Sequence, residues 1–243
     1  RNIKKSQEKP AKISLSDSYK SDVCEKAYLG RRGYTIPKSI LSEQDLNFLK
    51  EDLFLKAKPG INMGAATDIV SFPVYRESPN KLYIPRFYGE KRYGKPHRSE
   101  ISEGDPCDLQ FTKTLRDYQT EIINVYLNHV SNNGGGGILE VGCGKGKTVM
   151  ALNIISKIQK KTLILVHKEF LMNQWIERIG EFLPSARIGK IQGPKFEVDD
   201  RDIVLGMIQT MYSREFPTGS FDSFGLTIID EGHRIGSEEF SKT

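Results

Sequence analysis

The segment from Ile138 to Thr148 constrains this 243-residue chain more than any other. A strand candidate, Ile138-Leu-Glu-Val141, runs into Gly142-Cys143-Gly144-Lys145-Gly146-Lys147-Thr148. Val149, Met150, Leu152, Ile154, Ile155 and Ile158 then recur at helical spacing. A strand that bends through glycines into a helix start aims successive backbone N–H groups at one point, and the positive end of the helix adds to the field there. Such a turn cradles the phosphates of a nucleoside triphosphate. Lys147 would reach the β- and γ-phosphates and the Thr148 hydroxyl would bind Mg²⁺. The strict pattern asks for Gly where this chain has Val141, whereas the looser G-x-G-K-T form matches Gly144–Thr148. Cys143 reads two ways, as a small residue in a tight loop or as a thiol whose pKa is lowered at a helix start.

The surrounding pattern sets the fold class. Strands are expected at Ile138–Val141, Thr162–Val166, Ile203–Ile208 and Leu226–Ile229, and helices at Leu115–Val130, Lys147–Gln159 and Glu169–Leu183. Near-continuous apolar strands alternating with helices indicate an α/β domain with a parallel sheet covered on both faces. Its ligands bind where strands end and loops begin. Residues 1–22 are rich in Lys and Ser with almost no apolar periodicity, and read as a disordered basic tail. Residues 23–94 read as a small α+β domain, with a helix starting after Ser42 and extended stretches at Ile69–Tyr75 and Lys81–Tyr88. Residues 95–108 read as a linker, and 109–243 as the α/β domain.

Charge follows the same division. Residues 1–110 hold about 20 Lys/Arg against about 15 Asp/Glu, while the remainder holds about 16 of each. The net +5 therefore sits in the first half, which suits an anionic partner such as nucleic acid and equally a solvated basic tail. Three scattered cysteines, Cys24, Cys107 and Cys143, argue for a reducing, intracellular setting and against a disulfide framework. No Cys or His pairing has zinc-site spacing. The sequence shows no secretory signal and no apolar run near the ~18 residues of a membrane span. The start at Arg1 and the stop at Thr243, just after a patterned segment, read as those of a fragment.

A second chemical constellation closes the chain. The apolar Leu226-Thr-Ile-Ile229 delivers Asp230 and Glu231, followed by Gly232 and His233. Asp230 would hold Mg²⁺ and Glu231 would orient the attacking water for γ-phosphate hydrolysis. Two carboxylates after a strand also cap helices. Their position about 80 residues after a phosphate loop, across a β-α-β pattern, favours the catalytic reading. His233 is a coupling residue between ATP and nucleic acid, or a surface histidine.

These residues resemble superfamily-two helicases, specifically the DEAD/DEAH-like first motor domain of the XPB-like and restriction-enzyme-type translocases. The wording is similar to helicases of large eukaryotic DNA viruses, including the poxvirus transcript-release type. The resemblance covers residues 109–243 well and the small first domain only loosely. It implies a RecA-like fold, incomplete here, and ATP and Mg²⁺ as cofactors. It also implies that Gln119 in Leu115-Arg-Asp-Tyr-Gln119 reads the adenine edge, with Arg116 supporting the pocket. His167 and Lys168, Gln192 and Gly193, and Gln209 and Thr210 fall on segments that contact the tracked strand. DNA is favoured over RNA as the track, although motifs that touch phosphates do not carry that choice themselves. The acidic box has Gly232 where Ala is commoner. A second RecA-like half with its arginine finger would lie beyond Thr243, so this part alone should bind ATP and hydrolyse it poorly.

Two other classes stay open: a P-loop nucleotide kinase or other NTPase, and a binding module with a vestigial motor. The Arg86, Lys91, Arg92, Lys95 and Arg98 cluster, interleaved with aromatic residues, reads as a DNA contact or as a solvated loop. Trp175 and Leu171 read as core.

Overall fold

The computed structural model describes residues 13–56 and 71–232. The chain divides into two compact units, Arg1–Ile101 and Ser102–Thr243.

The first unit opens with α1 (Asp17–Lys26), then the hairpin β1 (Tyr28–Gly30) and β2 (Gly33–Pro37), a short 3₁₀ turn at Lys38–Ile40, and α2 (Glu43–Asp52). β3 (Phe54–Lys56) pairs with β4 (Ser71–Pro73) as a separate two-stranded ribbon. β5 (Arg76–Glu77), β6 (Lys81–Ile84), α3 (Arg86–Tyr93) and β7 (Arg98–Ser99) complete it. The main sheet runs β5-β6-β2-β1-β7, antiparallel except for the β1–β7 pair. Its buried face, Leu29, Tyr34, Ile36, Leu82 and Ile84, packs on Val23, Leu49 and Tyr93 from the three helices.

Three expectations are corrected here. The tail reading extended to residue 22, yet α1 begins at Asp17. Ser16 caps it by accepting the Tyr19 N–H at 3.3 Å, and Val23 is fully buried, so its one apolar stripe is used in the core. The expected strand Lys81–Tyr88 ends at Ile84, because Pro85 has no N–H to give a ladder and starts α3 instead. Gly89 then lets α3 lie directly on the Tyr34 ring, where a Cβ would collide. The segment 95–108 is no free linker. β7 pairs with β1, and Glu100 N–H donates to Leu29 O at 2.7 Å; in the second unit, Lys161 N–H donates to Asp105 O at 2.9 Å and Pro106 bridges to Lys160. Of the expected strand Ile69–Tyr75, the first two residues lie outside the described residues, and the remainder contains β4.

The second unit contains α4 (Asp117–Asn132), α5 (Lys147–Ile158), β8 (Thr162–Val166), α6 (Glu169–Phe182), β9 (Ile188–Gln192), β10 (Lys195–Phe196), β11 (Ile203–Met207), α7 (Ile208–Ser213) and β12 (Leu226–Ile229). The sheet order is β10-β9-β11-β8-β12. β9, β11, β8 and β12 are mutually parallel, and β10 folds back antiparallel on β9. β8 and β11 are buried nearly throughout. One side of the sheet packs on Leu152, Ile155, Met172, Trp175 and Ile179 of α5 and α6. The other side packs on Ile191, Val198 and Phe224 with a ring of phenylalanines. This is the expected α/β architecture with a parallel sheet.

Ile138–Val141 is a further correction. It belongs to no strand, and Ile138 is 91% exposed. A strand exists only through a neighbour's N–H and C=O groups, and among the described residues β12 pairs with β8 alone. The segment is held by side chains instead: Leu139 and Val141 pack against Ile123, Met150 and Ile154 of α4 and α5.

Candidate nucleotide and nucleic-acid site

Parallel strands all end on the same edge of a sheet, so the loops after β8, β9, β11 and β12 share one side of the second unit. Side chains stitch three of these loops together. Gln209 Nε2 donates to His167 O at 2.9 Å, joining the loops after β11 and β8. Gly193 N–H donates to Thr210 Oγ1 at 3.0 Å, joining those after β9 and β11. Arg214, lying over the Phe196 and Phe216 rings, donates to Gly193 O and Pro194 O at 3.4 and 3.3 Å. The structure thus brings His167, Gln192, Gly193, Gln209 and Thr210 to one edge, with Lys168 exposed at the start of α6. Thr210 is 9% exposed, and its oxygen already accepts one hydrogen bond.

The fourth loop carries the carboxylates. Asp230 N–H donates to Leu165 O at 3.0 Å, which extends the β12–β8 ladder by one step and fixes the Asp230 side chain. Its Oδ2 accepts the Trp175 indole N–H at 2.9 Å and its Oδ1 accepts the Glu231 N–H at 3.1 Å. Each oxygen keeps a second lone pair for a cation or water. Glu231 has φ of 61°, a left-handed conformation uncommon for a residue with a side chain, and it turns the chain sharply at the exposed end of the strand. Trp175 is 4% exposed and does sit in the core, as expected. Its polar edge has a second use that helical spacing could not reveal. His233 lies outside the described residues.

The phosphate loop has its own support. Gly144 and Gly146 have φ of 74° and 84°, conformations that glycine adopts without strain. Gly146 precedes α5, whose first residues are Lys147 and Thr148. Lys147 Nζ donates to Val141 O at 3.3 Å, curling back over its own loop. Gly142, Cys143, Gly144, Lys145 and Lys147 are exposed, and Thr148 is half-buried. α4 holds the loop from behind. Gln119 is 6% exposed; its Nε2 donates to Lys145 O at 3.1 Å while its Oε1 accepts the Arg116 N–H at 3.0 Å. Tyr118 OH donates to the same Lys145 carbonyl at 3.1 Å, and the Lys145 ammonium lies 5.7 Å from the Tyr118 ring centre. Gln119 is therefore a brace between the first turn of α4 and the phosphate loop, a use the sequence reading did not foresee.

Thr148 and Asp230 supply the hydroxyl and carboxylate oxygens that a hard cation such as Mg²⁺ prefers. Among the described residues no cluster of three or more His, Cys, Asp or Glu could hold a metal by itself. No described helix is long and apolar enough to cross a membrane.

Fold and site together define a P-loop α/β domain. Residues 112–243 match the family described as type III restriction enzyme, res subunit, and the chain belongs to that family. It is 34% identical over 220 residues to a protein of Acanthamoeba polyphaga mimivirus provisionally named an ATP-dependent RNA helicase, covering 89% of this chain and 42% of that one. A similarly named protein of African swine fever virus is 30% identical over 139 residues, 55% of this chain and 27% of its own length. A DNA 3′-5′ translocase of Sulfurisphaera tokodaii is 35% identical over 127 residues, 52% of this chain and 27% of its own. The chain thus spans less than half the length of these relatives. The resemblance to superfamily-two helicases, viral ones included, is met.

Proposed function

We propose that this chain carries the ATP-binding half of a nucleic-acid translocase or helicase. In this reading Lys147 and the loop N–H groups hold the β- and γ-phosphates, Thr148 and Asp230 hold Mg²⁺, and Glu231 takes the proton of the attacking water. Bound Mg²⁺ would supply charge neutralisation at the phosphates. Arg116 and Gln119 border the adenine, and Gln119 would exchange its bond to Lys145 O or keep it as the ring docks. The edge formed by His167, Lys168, Gln192, Gly193, Gln209 and Thr210 would follow the phosphates of one strand, DNA in preference to RNA. His233 would couple the two sites. A second RecA-like half would complete the ATP site and supply the arginine finger. The longer relatives are compatible with that arrangement.

One observation carries this reading. The carboxylate after β12 and the three stitched loops after β8, β9 and β11 share the sheet edge, so one strand-end surface can meet both nucleotide and polyanion. ATPase activity of the full-length protein, measured with and without DNA and RNA oligonucleotides, tests it. Stimulation by either, lost in Lys147→Ala, is the expected result. ATP turnover indifferent to both polymers would favour a nucleotide kinase or another NTPase and overturn the proposal. If DNA and RNA stimulate equally, the preference for DNA falls while the motor reading stands.

A further inference from the structure

The sheet of the first unit has two unlike faces. All three helices supply side chains to the core beneath one of them, with Val23, Leu49 and Tyr93 against Leu29, Tyr34, Ile36, Leu82 and Ile84. Strand register defines what stands on the other. Arg76 pairs with Tyr83, Tyr83 with Thr35, Thr35 with Tyr28, and Tyr28 with Arg98. Directly paired residues point to the same side of a sheet, so these five form one row across all five strands. Among the described residues, no helix of this unit contributes to a core on that side.

Tyr83 and Tyr28 flank the buried Thr35 at the middle of the row, arginines stand at both ends, and further cations lie over the rings. Arg98 sits 4.8 Å from the centre of the Tyr28 ring, and the Lys81 ammonium 5.2 Å from it. Lys81 Nζ also donates to Tyr28 OH at 2.9 Å. Arg32, from the β1–β2 turn, lies 5.3 Å from the Tyr83 ring centre. Arg32, Arg76 and Arg98 are exposed, and Tyr28 and Tyr83 are half-buried. Among the described residues, Glu100 meets this group through its pair with Arg98. The rings hold the long cationic side chains flat against the sheet, which lowers the entropy lost when they engage a ligand. Gly30 leaves room beside Tyr28, whose ring lies 3.2 Å from where a Cβ would be.

We propose that this sheet face binds a single-stranded nucleic acid, with Arg32, Arg76, Lys81 and Arg98 taking phosphates and Tyr28 and Tyr83 meeting bases. A sheet face with spaced cations suits a polyanion whose charges recur along a line, and the uncovered part of each half-buried tyrosine ring suits unpaired bases. The surface belongs to the first unit, and it would act whether or not ATP is hydrolysed.

Binding of the whole chain to fluorescein-labelled oligo(dU), read by anisotropy without nucleotide over a range of salt, tests the proposal. Arg32→Glu/Arg98→Glu should weaken binding about tenfold at low salt and reduce the salt slope by about 1.4, since each single-strand phosphate contact contributes about 0.7. Arg32→Gln/Arg98→Gln, which adds no repulsion, should give the same loss of slope and guards against misfolding of the double reversal. Tyr83→Phe should bind as the parent does. Lys20→Glu/Lys26→Glu, on α1 beneath the opposite face, should change the slope little. Equal losses in both charge-reversed proteins would mean that only net charge matters and would overturn the proposal. So would unchanged binding by the Gln variant, or tighter binding of duplex than of single strand through the same arginines. A loss caused only by Lys168→Ala would overturn it too, while leaving the motor reading intact.

Discussion

The indole N–H of Trp175 donates to Asp230 Oδ2 at 2.9 Å across 55 positions of sequence, tying the core helix α6 to the carboxylate at the end of β12. A tryptophan that packs on the sheet with its ring thereby fixes the direction of an acidic side chain with its edge. A hydrogen bond to a charged group contributes about 1.5–3 kcal/mol. Trp175→Phe keeps most of the packing and removes the donor. If Asp230 holds Mg²⁺ as proposed, the variant should raise the Mg²⁺ concentration for half-maximal ATPase activity of the full-length protein and lower turnover about tenfold. Nucleotide binding should change little. A Mg²⁺ titration of activity, beside binding of a fluorescent ATP analogue, separates these effects.

Gly146 offers a sharper test of the phosphate loop. Its φ is 84°, and an added Cβ would stand 2.5 Å from Gln119 Nε2. Gly146→Ala should therefore strain the backbone and push away the Gln119 brace together. Affinity for the fluorescent analogue should fall at least tenfold, with a smaller fall in Gln119→Ala, which removes the brace and leaves the glycine conformation intact.

In the first unit, Asp45 is fully buried and accepts from Tyr19 OH at 3.1 Å, Tyr93 OH at 2.6 Å and the Arg92 guanidinium. Arg92 also lies 4.3 Å from the Phe48 ring centre. This part of the basic cluster is structural, neither a DNA contact nor a solvated loop. Removing one partner of a buried pair leaves the other uncompensated, at a cost of about 3–5 kcal/mol. Asp45→Asn should lower the thermal midpoint by many degrees. Arg92→Met in the same chain should restore part of it, which thermal unfolding by circular dichroism would show.

Asp202 gives the pH dependence. The Arg187 guanidinium reaches both carboxylate oxygens, at 2.8 and 3.0 Å, and the Arg187 N–H adds a bond at 2.9 Å. Arg187 holds the Asp202 carboxyl below the usual carboxylate range, against the opposing effect of burial. A folded-state pKa below the unfolded one means stability that is present above the unfolded value, near pH 3.9, and lost as pH falls through the lower folded value. The contribution is screened by solvent, since Arg187 is largely exposed. Asp202→Asn should thus be less stable than the parent at pH 7, and the gap should close below about pH 4. Urea unfolding at several pH values measures it.

Much of the second unit was legible because its strands carry continuous apolar runs, of which β8 and β11 are buried nearly throughout. β8 and β12 have the bounds expected from their apolar runs. β9 was not read as a strand, because Gly189 and Lys190 interrupt the run. Gly189 is there for the close approach of Glu197 O, a contact made eight positions along the chain. Ile138–Val141 misled for the opposite reason. Its local pattern is that of a strand, but pattern carries no information about whether a partner edge lies alongside. In the first unit the strands are two to five residues long, too short for a period to show. The motifs fall on loops, and the structure brings those after β8, β9 and β11 to one sheet edge. The direction of the Trp175 N–H, the brace from Gln119 and the Gly193–Thr210 stitch are contacts between distant segments, and spacing along the chain does not encode them.

Tyr19 links α1 to the rest of the first unit twice: its hydroxyl donates to Asp45 and accepts the Ser42 N–H at 2.9 Å, above the cap of α2. A protease that clips ahead of Ser16 would leave this clasp whole. One that cuts after Tyr19 or Lys20 would withdraw a donor from a buried carboxylate and uncover Val23 in the same stroke. Trimming of the amino terminus therefore cannot pass the cap of α1, which lies several residues inside the stretch whose composition reads as a disordered tail.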